Sequence, residues 1–465
     1  MQYDAIIIGG GPAGATAGAI LGQYGHKVLI VERGNFPRFH IGESLMPETY
    51  WTFKRIGVLD KLKGSEHVKK YSVQFYNASG TMSAPFYFDE RNSHECSQTW
   101  QVVRSEFDQM MLDNAADKCC EVWQGCNVVD IISDRGEGSD EATKRRSDAV
   151  QNETHALRLT AIQNPKSKIQ NPKVRGVVVE KSDGTREELL AKVVIDATGT
   201  NAMLGRRFGV REPDPKLRKA SVFAHYKGAF RDPNPRDTGA TLVCQVQGAA
   251  GWFWYIPLKD NIVSIGIVAD IDYLIKGRGK PEQTIVEEIA KCPIVAERLQ
   301  SAERVSPVHV LSDFSYNSKV AAGDGWVLIG DAFTFLDPMY SSGVFLALKS
   351  GELAADAVHA ALVAGDTSAA RLGAWGDDFY AGVQAIRKLV YAFYTPDFSF
   401  GKFNKMHPEF KDNLVRLLIG DVMKRDVDAI FDPMGKMVDL PTDIRLHSAE
   451  PGPATTTPAM SVAKN

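Results

Sequence analysis

Apolar residues at the start of the chain form two short runs on either side of a glycine-rich turn. The runs cover residues 5–8 and 28–31, and the stretch between them has the small-residue pattern of a helix. This alternation predicts a strand–helix–strand unit of a parallel sheet. Apolar runs at 192–195, before DATG, and at 325–329, before GDA, predict further strands of the same sheet after long insertions.

The insertions have a different pattern. Short β-branched or aromatic runs, separated by turn residues, occur at 71–76, 220–228, 240–246, 252–257 and 262–268. Such runs predict an antiparallel sheet. After Asp337 the apolar spacing becomes helical. The fold class predicted is therefore α/β, a Rossmann-like sheet with an inserted antiparallel β-sheet domain and a helical C-terminal region.

Two polar segments interrupt this plan and are predicted to be disordered. One is an insertion at 133–172 that repeats IQNPK, and the other is the tail at 441–465. The domain boundaries that follow are 1–70, 100–132, 173–215 and 318–365 for the discontinuous nucleotide-binding domain, 71–99 and 216–317 for the antiparallel substrate domain, and 366–440 for the helical region expected to cover the substrate site.

Composition narrows the choice of partners. With 44% hydrophobic and 24% charged residues, the chain has ordinary globular composition. Its net charge of −3 does not favour binding to nucleic acid or to an anionic membrane. The six cysteines form no CxxC pair, so neither a metal site nor a disulfide framework is predicted. No apolar run reaches the ~18 residues that a membrane span needs. A reducing cytoplasm is the expected location.

The first turn has the spacing of a dinucleotide-binding loop. Its residues are Gly9, Gly11, Pro12, Ala13 and Gly14 of a GxGxxG sequence, with Glu32 at the end of the next strand. Glycines allow a tight turn and a close approach of the backbone to a pyrophosphate, while the helix N-terminus favours the anion. An acid at the second strand end binds a ribose hydroxyl. The turn therefore predicts a bound dinucleotide.

A second signature identifies the kind of dinucleotide. Gly330-Asp331-Ala332 is followed by DPMYSSGV, and with the first turn it resembles the FAD-binding fold of the flavin monooxygenase superfamily, over residues 1–440 apart from the 133–172 insertion. The resemblance implies that Asp331 binds the ribityl chain and that Arg104 contacts the flavin. It also implies that the HIGESL segment, with Ser44, lies beside the ring, and that Arg33 and Gly343 complete the FAD contacts.

Within that superfamily two features favour a flavin-dependent halogenase. The stretch ATGTNA at 197–202 lacks the aspartate and serine of the hydroxylase segment that serves NAD(P)H. Reduced FAD is therefore expected from a separate NAD(P)H-dependent flavin reductase. The stretch WFWYIP at 252–257 matches the halogenase motif WxWxIP, and strand alternation puts Trp252 and Trp254 on one face. Aromatic residues also fill cores, so the spacing alone leaves that alternative open.

The third feature is a lysine. Lys70 begins KYSVQFYN, which is similar to the halogenase pattern KxxxxFxN, and alternation sets it on the opposite face from Lys69. The resemblance implies that reduced FAD and dioxygen oxidise chloride or bromide to hypohalous acid, which reaches Lys70 and halogenates an electron-rich ring. Lysine can serve as a hydrogen-bond donor or, once burial lowers its pKa, as a neutral amine. The two tryptophans would separate flavin from substrate.

The segment after Asp337 is expected to hold the halide. By resemblance, the backbone amides of Ser342 and Gly343 bind chloride or bromide, which suits a helix N-terminus. Tryptophan halogenases carry a catalytic glutamate two residues before this pair, whereas this chain has Tyr340 there and keeps the following serine, Ser341. Without that carboxylate a phenolic, tyrosine-derived ring is favoured as substrate, with pyrrole next.

The implied role is natural-product biosynthesis of the nonribosomal-peptide type, on a free, peptide-bound or carrier-bound ring. The Phe- and Met-rich segment 391–410 is expected to cover the site, with helix packing as an equal alternative. Two other functions stay open. One is an FAD-dependent hydroxylase or ring reductase on the same fold, and the other is a catalytically silent flavin-binding protein that docks a carrier.

Overall fold

The computed structural model describes residues 2–82, 85–90, 93–134, 172–248, 251–312, 314–396 and 398–446. Its strands are β1 Gln2–Ile8, β2 Val28–Glu32, β3 Val68–Lys70, β4 Ser72–Tyr76, β5 Phe86–Tyr87, β6 Thr99–Gln101, β7 Glu121–Gln124, β8 Asn127–Ser133, β9 Val174–Glu180, β10 Arg186–Asp196, β11 Arg211–Pro213, β12 Lys219–Lys227, β13 Thr241–Gln245, β14 Gly251–Pro257, β15 Ile262–Asp270, β16 Glu303–Arg304, β17 His309–Ser312, β18 Tyr316–Ser318, β19 Ala322–Gly323 and β20 Trp326–Leu328.

The helices are α1 Pro12–Gln23, α2 Thr49–Ile56, α3 Leu59–Lys63, α4 Arg104–Asp117, α5 Met203–Arg207, α6 Ile271–Leu274, α7 Pro281–Ala290, α8 Pro293–Arg298, α9 Ser342–Ala364, α10 Ala369–Leu372, α11 Gly376–Tyr394, α12 Phe400–Met406, α13 Lys411–Ile419 and α14 Phe431–Met434. Among the described residues, no helix is long and apolar enough to cross a membrane.

The first sheet carries the predicted dinucleotide turn. Strands β20, β10, β1, β2 and β7 lie side by side and are all parallel, and β19, β9 and β8 extend the sheet with antiparallel pairings. Strand β2 is buried along its whole length, as expected for a parallel sheet with helices on both faces. Helix α1 packs between this sheet and helices α4 and α9. The Rossmann-like plan predicted from the sequence is confirmed.

The second sheet is built from the insertions, in the order β16-β12-β15-β14-β13-β4-β5, with β17 also paired to β12. Its pairings are antiparallel with one exception, because β13 and β4 run parallel. The sheet separates two apolar clusters. Trp252, Trp254 and Ile256 of β14 pack in the cluster shared with the first sheet, whereas Phe253 and Tyr255 pack in the cluster under helices α7 and α8. The predicted alternation along β14 is thus observed.

A small two-stranded sheet, β3 with β6, connects the two large ones. Tyr71 interrupts the predicted strand, so that β3 and β4 belong to different sheets. The side-chain alternation nevertheless continues across the break, since Lys70, Ser72 and Gln74 are buried while Lys69 is exposed.

The predicted disordered insertion lies almost wholly outside the described residues, as does the tail beyond residue 446. Strands of the first sheet come from 2–32, 121–133, 174–196 and 322–328, and those of the second come from 72–87 and 219–312. Because the strands of each sheet come from these ranges, we propose the domain boundaries that were expected from the sequence.

Candidate active site

A cavity of about 1280 Å³ lies between the two large sheets. Its wall is formed by the dinucleotide turn, the HIGESL segment, the loop after β10, the tryptophan face of β14 and the N-terminus of α9. The predicted site residues that line it are Gly9, Gly11, Pro12, Ala13, Glu32, Arg33, Ser44, Arg104, Trp252, Trp254, Asp331, Ser341 and Gly343. Gly14, Lys70 and Ser342 lie behind this wall.

The glycines of the turn have distinct steric roles. Gly9 adopts φ +107°, and a Cβ there would approach the carbonyl oxygen of Ala197 to 2.4 Å. A Cβ on Gly14 would lie 2.0 Å from the carbonyl oxygen of Gly9, so both glycines are required by the turn itself. Gly11 differs, because its nearest neighbour is an Arg38 side-chain atom at 3.7 Å. The space beside Gly11 belongs to the cavity, where a phosphate could approach the backbone.

Helix α1 begins at this turn without a side-chain cap. Its first N–H groups are therefore available to an anion. Glu32 is fixed by the backbone N–H groups of Gly10 and Gly34, each 2.8 Å from one carboxylate oxygen. Arg33 is exposed on the cavity side. These contacts fit a bound adenosine diphosphate group.

The opposite part of the cavity fits the remainder of FAD. The carboxylate of Asp331 accepts no hydrogen bond from the described residues, and burial raises its pKa to about 7, an effect that the positive charge of Arg104 opposes. The side chain is half-buried and lines the cavity, so a ligand there can supply the missing donor. Ribityl hydroxyls would do so. The donor set and the open glycine thus accommodate FAD.

Arg104 positions the HIGESL segment. Its guanidinium donates to both carboxylate oxygens of Asp108, at 2.7 and 3.0 Å, and to the carbonyl oxygens of Ile41 and Gly42. The arginine is buried and lines the cavity. Any contact with a flavin would therefore add to this anchoring role.

The N-terminus of α9 faces the cavity through Ser341 and Gly343. Ser341 adopts a left-handed conformation, φ +58°, and gives the helix no side-chain cap. A Cβ on Gly343 would meet no atom nearer than 3.9 Å. The first turn of this 23-residue helix contains no acidic residue, so its free N–H groups and positive dipole end suit a small anion. Ser342 is buried and does not line the cavity.

Tyr340 does not replace the glutamate of tryptophan halogenases. Its hydroxyl donates to the carbonyl oxygen of Leu389, at 3.1 Å, and its side chain is absent from the cavity wall. Burial raises its pKa well above the usual value. The phenol is therefore neutral and structural, tying the segment before α9 to helix α11.

Trp252 and Trp254 form one continuous patch of cavity wall, with ring centroids 6.3 Å apart. The indole of Trp254 donates to Ser264, at 3.1 Å, and packs so closely on Gly266 that a Cβ there would lie 2.1 Å from the ring. Trp252 donates to the hydroxyl of Tyr394, at 2.9 Å. Both rings are thus held in position.

Tyr394 was not singled out by the sequence and connects three parts of the site. Its hydroxyl donates to Asp337, at 3.1 Å, while accepting from Trp252. Asp337 also accepts from the backbone N–H of Met339, and burial raises its pKa to about 7 despite these donors. The tyrosine lies in the Phe- and Met-rich segment, whose predicted covering role was the only sequence signal for it.

Lys70 lies behind the cavity wall, 2% exposed. Its amine donates to the hydroxyl of Ser44, at 2.9 Å, and to the carbonyl of Leu45, at 3.1 Å. The Ser44 hydroxyl also bonds to that of Thr241, at 2.9 Å, and both hydroxyl-bearing residues line the cavity. No carboxylate among the described residues pairs with Lys70, and burial lowers its pKa to about 7.

Comparison with known proteins agrees with this geometry. The chain matches an FAD-binding domain family over residues 2–161 and the tryptophan halogenase family over residues 149–412. A 1H-pyrrole-2-carbonyl peptidyl-carrier-protein brominase of Pseudoalteromonas luteoviolacea is 33% identical over 431 residues, 90% of this chain and 92% of the relative. The corresponding chlorinase of Pseudomonas fluorescens is 28% identical over 459 residues, 94% of this chain and 93% of the relative.

The structure of the flavin-dependent brominase Bmp2 is similar throughout, with a TM-score of 0.77 at 28% identity over 94% of this chain and 99% of that chain. The sheet, the glycine turn and the family match define an FAD-binding oxidoreductase. More narrowly, the chain belongs to the flavin-dependent halogenases, which act on aromatic or pyrrole rings. The halogenase predicted from the sequence is confirmed.

Gly11→Ala tests the cofactor turn. The new methyl group enters the cavity beside the turn without touching the protein core, so FAD binding should weaken by about tenfold or more, the equivalent of a charged hydrogen bond, while the unfolding free energy of the cofactor-free protein changes little. Flavin fluorescence titration and urea denaturation measure the two quantities. Unchanged FAD affinity would contradict the assignment of this space to the pyrophosphate.

Lys70→Met tests the buried amine. Its folded-state pKa is lowered from 10.5 to about 7, so between these values the unfolded chain holds a proton that the folded chain lacks. The unfolding free energy of the wild type, relative to Lys70→Met, should therefore rise as pH increases from about 7 to about 10. Urea denaturation at several pH values measures this difference. Exposed Lys69→Met is the control, and a flat difference for Lys70 would refute the shifted pKa.

Proposed function

We propose that this halogenase acts on a pyrrole-2-carbonyl group carried by a peptidyl carrier protein. The proposal rests on the two relatives above, which align with 90% and 94% of this chain and whose names specify that substrate. Pyrrole is electron-rich enough to react without the glutamate that tryptophan halogenases carry at the sequence position of Tyr340. A carrier-bound phenol, the substrate favoured by the sequence, is the second candidate, because a phenolate supplies its own electron density.

Reduced FAD, when bound with dioxygen, supplies the two-electron oxidation that converts halide to hypohalous acid. The protein's part begins with the halide, which we assign to the backbone amides of Ser342 and Gly343 at the uncapped start of α9. Gly343 leaves room for an ion, and the helix dipole adds a favourable field. Ser341, held in its left-handed conformation, sets the direction of these amides.

Lys70 is assigned as the residue that directs the oxidant. This role is supported by the position of the amine, which is fully buried, pairs with no carboxylate of the described residues, and is separated from the cavity by the Ser44 hydroxyl. The Lys70 amine donates to the Ser44 hydroxyl, which lines the cavity, and that hydroxyl can in turn donate to the oxygen of hypohalous acid and help hydroxide depart. A pKa near neutrality suits a group that must give and regain a proton.

Trp252 and Trp254 are assigned to the partition between flavin and ring. Their fixed indoles present a continuous apolar face to the cavity. Such a face excludes water and keeps the ring from the place where oxygen is activated. Tyr394 contributes by holding Trp252 on the wall.

The electron source is proposed to be a separate flavin reductase. The segment after β10 lacks the aspartate and serine with which hydroxylases of the superfamily serve NAD(P)H. Reduced FAD would then arrive by diffusion.

A reconstituted reaction tests the function. It contains the protein, FAD, a flavin reductase with NADH, dioxygen, and bromide or chloride, with pyrrole-2-carbonyl carrier protein and tyrosyl carrier protein in separate arms. Mass spectrometry should detect a halogenated pyrrole. Lys70→Ala should reduce the rate by about 10²- to 10⁴-fold, the contribution of a positioned proton donor, while FAD still binds.

Lys69→Ala is the matched control, because Lys69 is adjacent, exposed and on the other face of the strand. It should retain wild-type activity. Halogenation of the tyrosyl arm alone would transfer the assignment to phenols, oxygenated product alone would indicate a hydroxylase, and full activity of Lys70→Ala would remove Lys70 from the mechanism.

A further inference from the structure

Two hydroxyl groups meet at the cavity wall in front of Lys70. Ser44, in the HIGESL segment, and Thr241, at the start of β13, both line the cavity, and their side-chain oxygens lie 2.9 Å apart. Each hydroxyl can donate one hydrogen bond and accept two. The direction of the hydrogen bonds in this pair therefore depends on the groups that contact it from the protein side.

Lys70 contacts the pair from one end. Its amine lies 2.9 Å from the Ser44 oxygen and 3.1 Å from the carbonyl oxygen of Leu45, and the centroid of the Phe88 ring is 5.5 Å away. As an ammonium group the amine has no lone pair, so it can only donate. Ser44 therefore accepts a hydrogen bond from Lys70.

Gln101 contacts the pair from the other end and is also a donor. Its Nε2 lies 2.9 Å from the carbonyl oxygen of Gly239 and 2.8 Å from the hydroxyl of Thr241. A carbonyl oxygen can only accept, so the amide nitrogen, and not the amide oxygen, must occupy this position. The glutamine is buried at the end of β6, and its backbone pairs with Ser44. Thr241 therefore accepts a hydrogen bond from Gln101.

The count of donors and acceptors leaves one hydroxyl proton without a partner in the protein. The two hydroxyls carry two protons, and one of these forms the hydrogen bond between their oxygens. Lys70 and Gln101 both donate, so neither accepts the second proton, and neither hydroxyl bonds to another acceptor among the described residues. Whichever oxygen carries it, the second proton can bond only to a group in the cavity.

We propose that the hydroxyl pair of Ser44 and Thr241 binds the oxygen of hypohalous acid, and that Gln101 is a positioning residue that keeps the pair a donor towards the cavity. This hydrogen bond holds the oxidant beside Lys70. It also draws electron density away from the halogen, which makes the halogen more electrophilic. The inference rests on the proposed function and adds Thr241 and Gln101 to the residues that control the oxidant.

Gln101→Glu tests the proposal, because it exchanges a donor for an acceptor of the same shape. Thr241 can then donate to the new side chain and Ser44 can donate to Thr241, so that no proton is left for the cavity. In the reconstituted reaction the carrier substrate competes with a soluble 1,3-diketone that traps released hypohalous acid. The ratio of halogenated carrier to halogenated diketone does not depend on the rate of flavin turnover. It should fall about tenfold, the equivalent of one hydrogen bond.

Thr241→Val separates this role from a structural one. It removes one hydroxyl but leaves the Ser44 proton for the cavity, so the ratio should fall by only about threefold. In Gln101→Glu/Thr241→Val the ratio should rise from the low value of Gln101→Glu to the value of Thr241→Val, because no Thr241 oxygen remains to accept from Ser44. A double variant that is at least as impaired as Gln101→Glu would show a structural role for Gln101 and overturn the inference.

Gln300→Glu is the control, since Gln300 is exposed and lies outside the cavity; its ratio should equal that of the wild type. If circular dichroism shows that Gln101→Glu does not fold, Ser44→Ala/Thr241→Val, which removes both protons, should give the tenfold loss that Thr241→Val alone does not. A wild type without halogenated product in either carrier arm contradicts the proposed function. An active wild type whose ratio is unchanged in Gln101→Glu, or in the variant that replaces it, overturns this inference alone.

Discussion

The site depends on one short stretch of backbone, residues 41–45, being held rigidly between the two sheets. Arg104 binds the carbonyls of Ile41 and Gly42, and it is itself fixed by two hydrogen bonds to Asp108. Further along, backbone hydrogen bonds connect Glu43 to Val102 and Leu45 to Trp100. The stretch can therefore present Ser44 both to Lys70 and to the cavity.

The removal of polar groups from water is a second physical constraint on the site. Lys70, Asp331 and Asp337 each have a pKa brought to about 7, and in each case the first cause is removal from water. Structural stability alone gives no reason to keep such groups in an apolar interior. Their cost is offset where they bind a ligand or exchange a proton. Their clustering around one cavity is typical of a catalytic site.

Local patterns in the sequence predicted much of this arrangement. The strand–helix–strand start, the two faces of β14 and the burial of Lys70 follow from periodicity and from neighbouring residues. The parallel pairing of β13 with β4 could not be predicted in this way, because it joins segments far apart in the chain. The contacts of the residues that support the site are also long-range, so local sequence patterns could not predict them.

Tyr394 reaches Trp252 from another helix, and His225 reaches Glu43 across 182 positions of sequence. The position of Lys70 behind Ser44, and not on the cavity surface, also needed the structure, because alternation gives the face of a strand but not the depth of a side chain. Such long-range contacts depend on how the two sheets pack, which no local pattern encodes.

We propose that flavin and halide occupy the α9 side of the cavity, with the tryptophan wall between them and the ring. A crystal structure with FAD and bromide, using the anomalous scattering of bromine, tests it most directly. We expect a bromide peak at the backbone amides of Ser342 and Gly343, beside the flavin ring. Ordered FAD with bromide bound elsewhere, at a concentration that supports turnover, would contradict it.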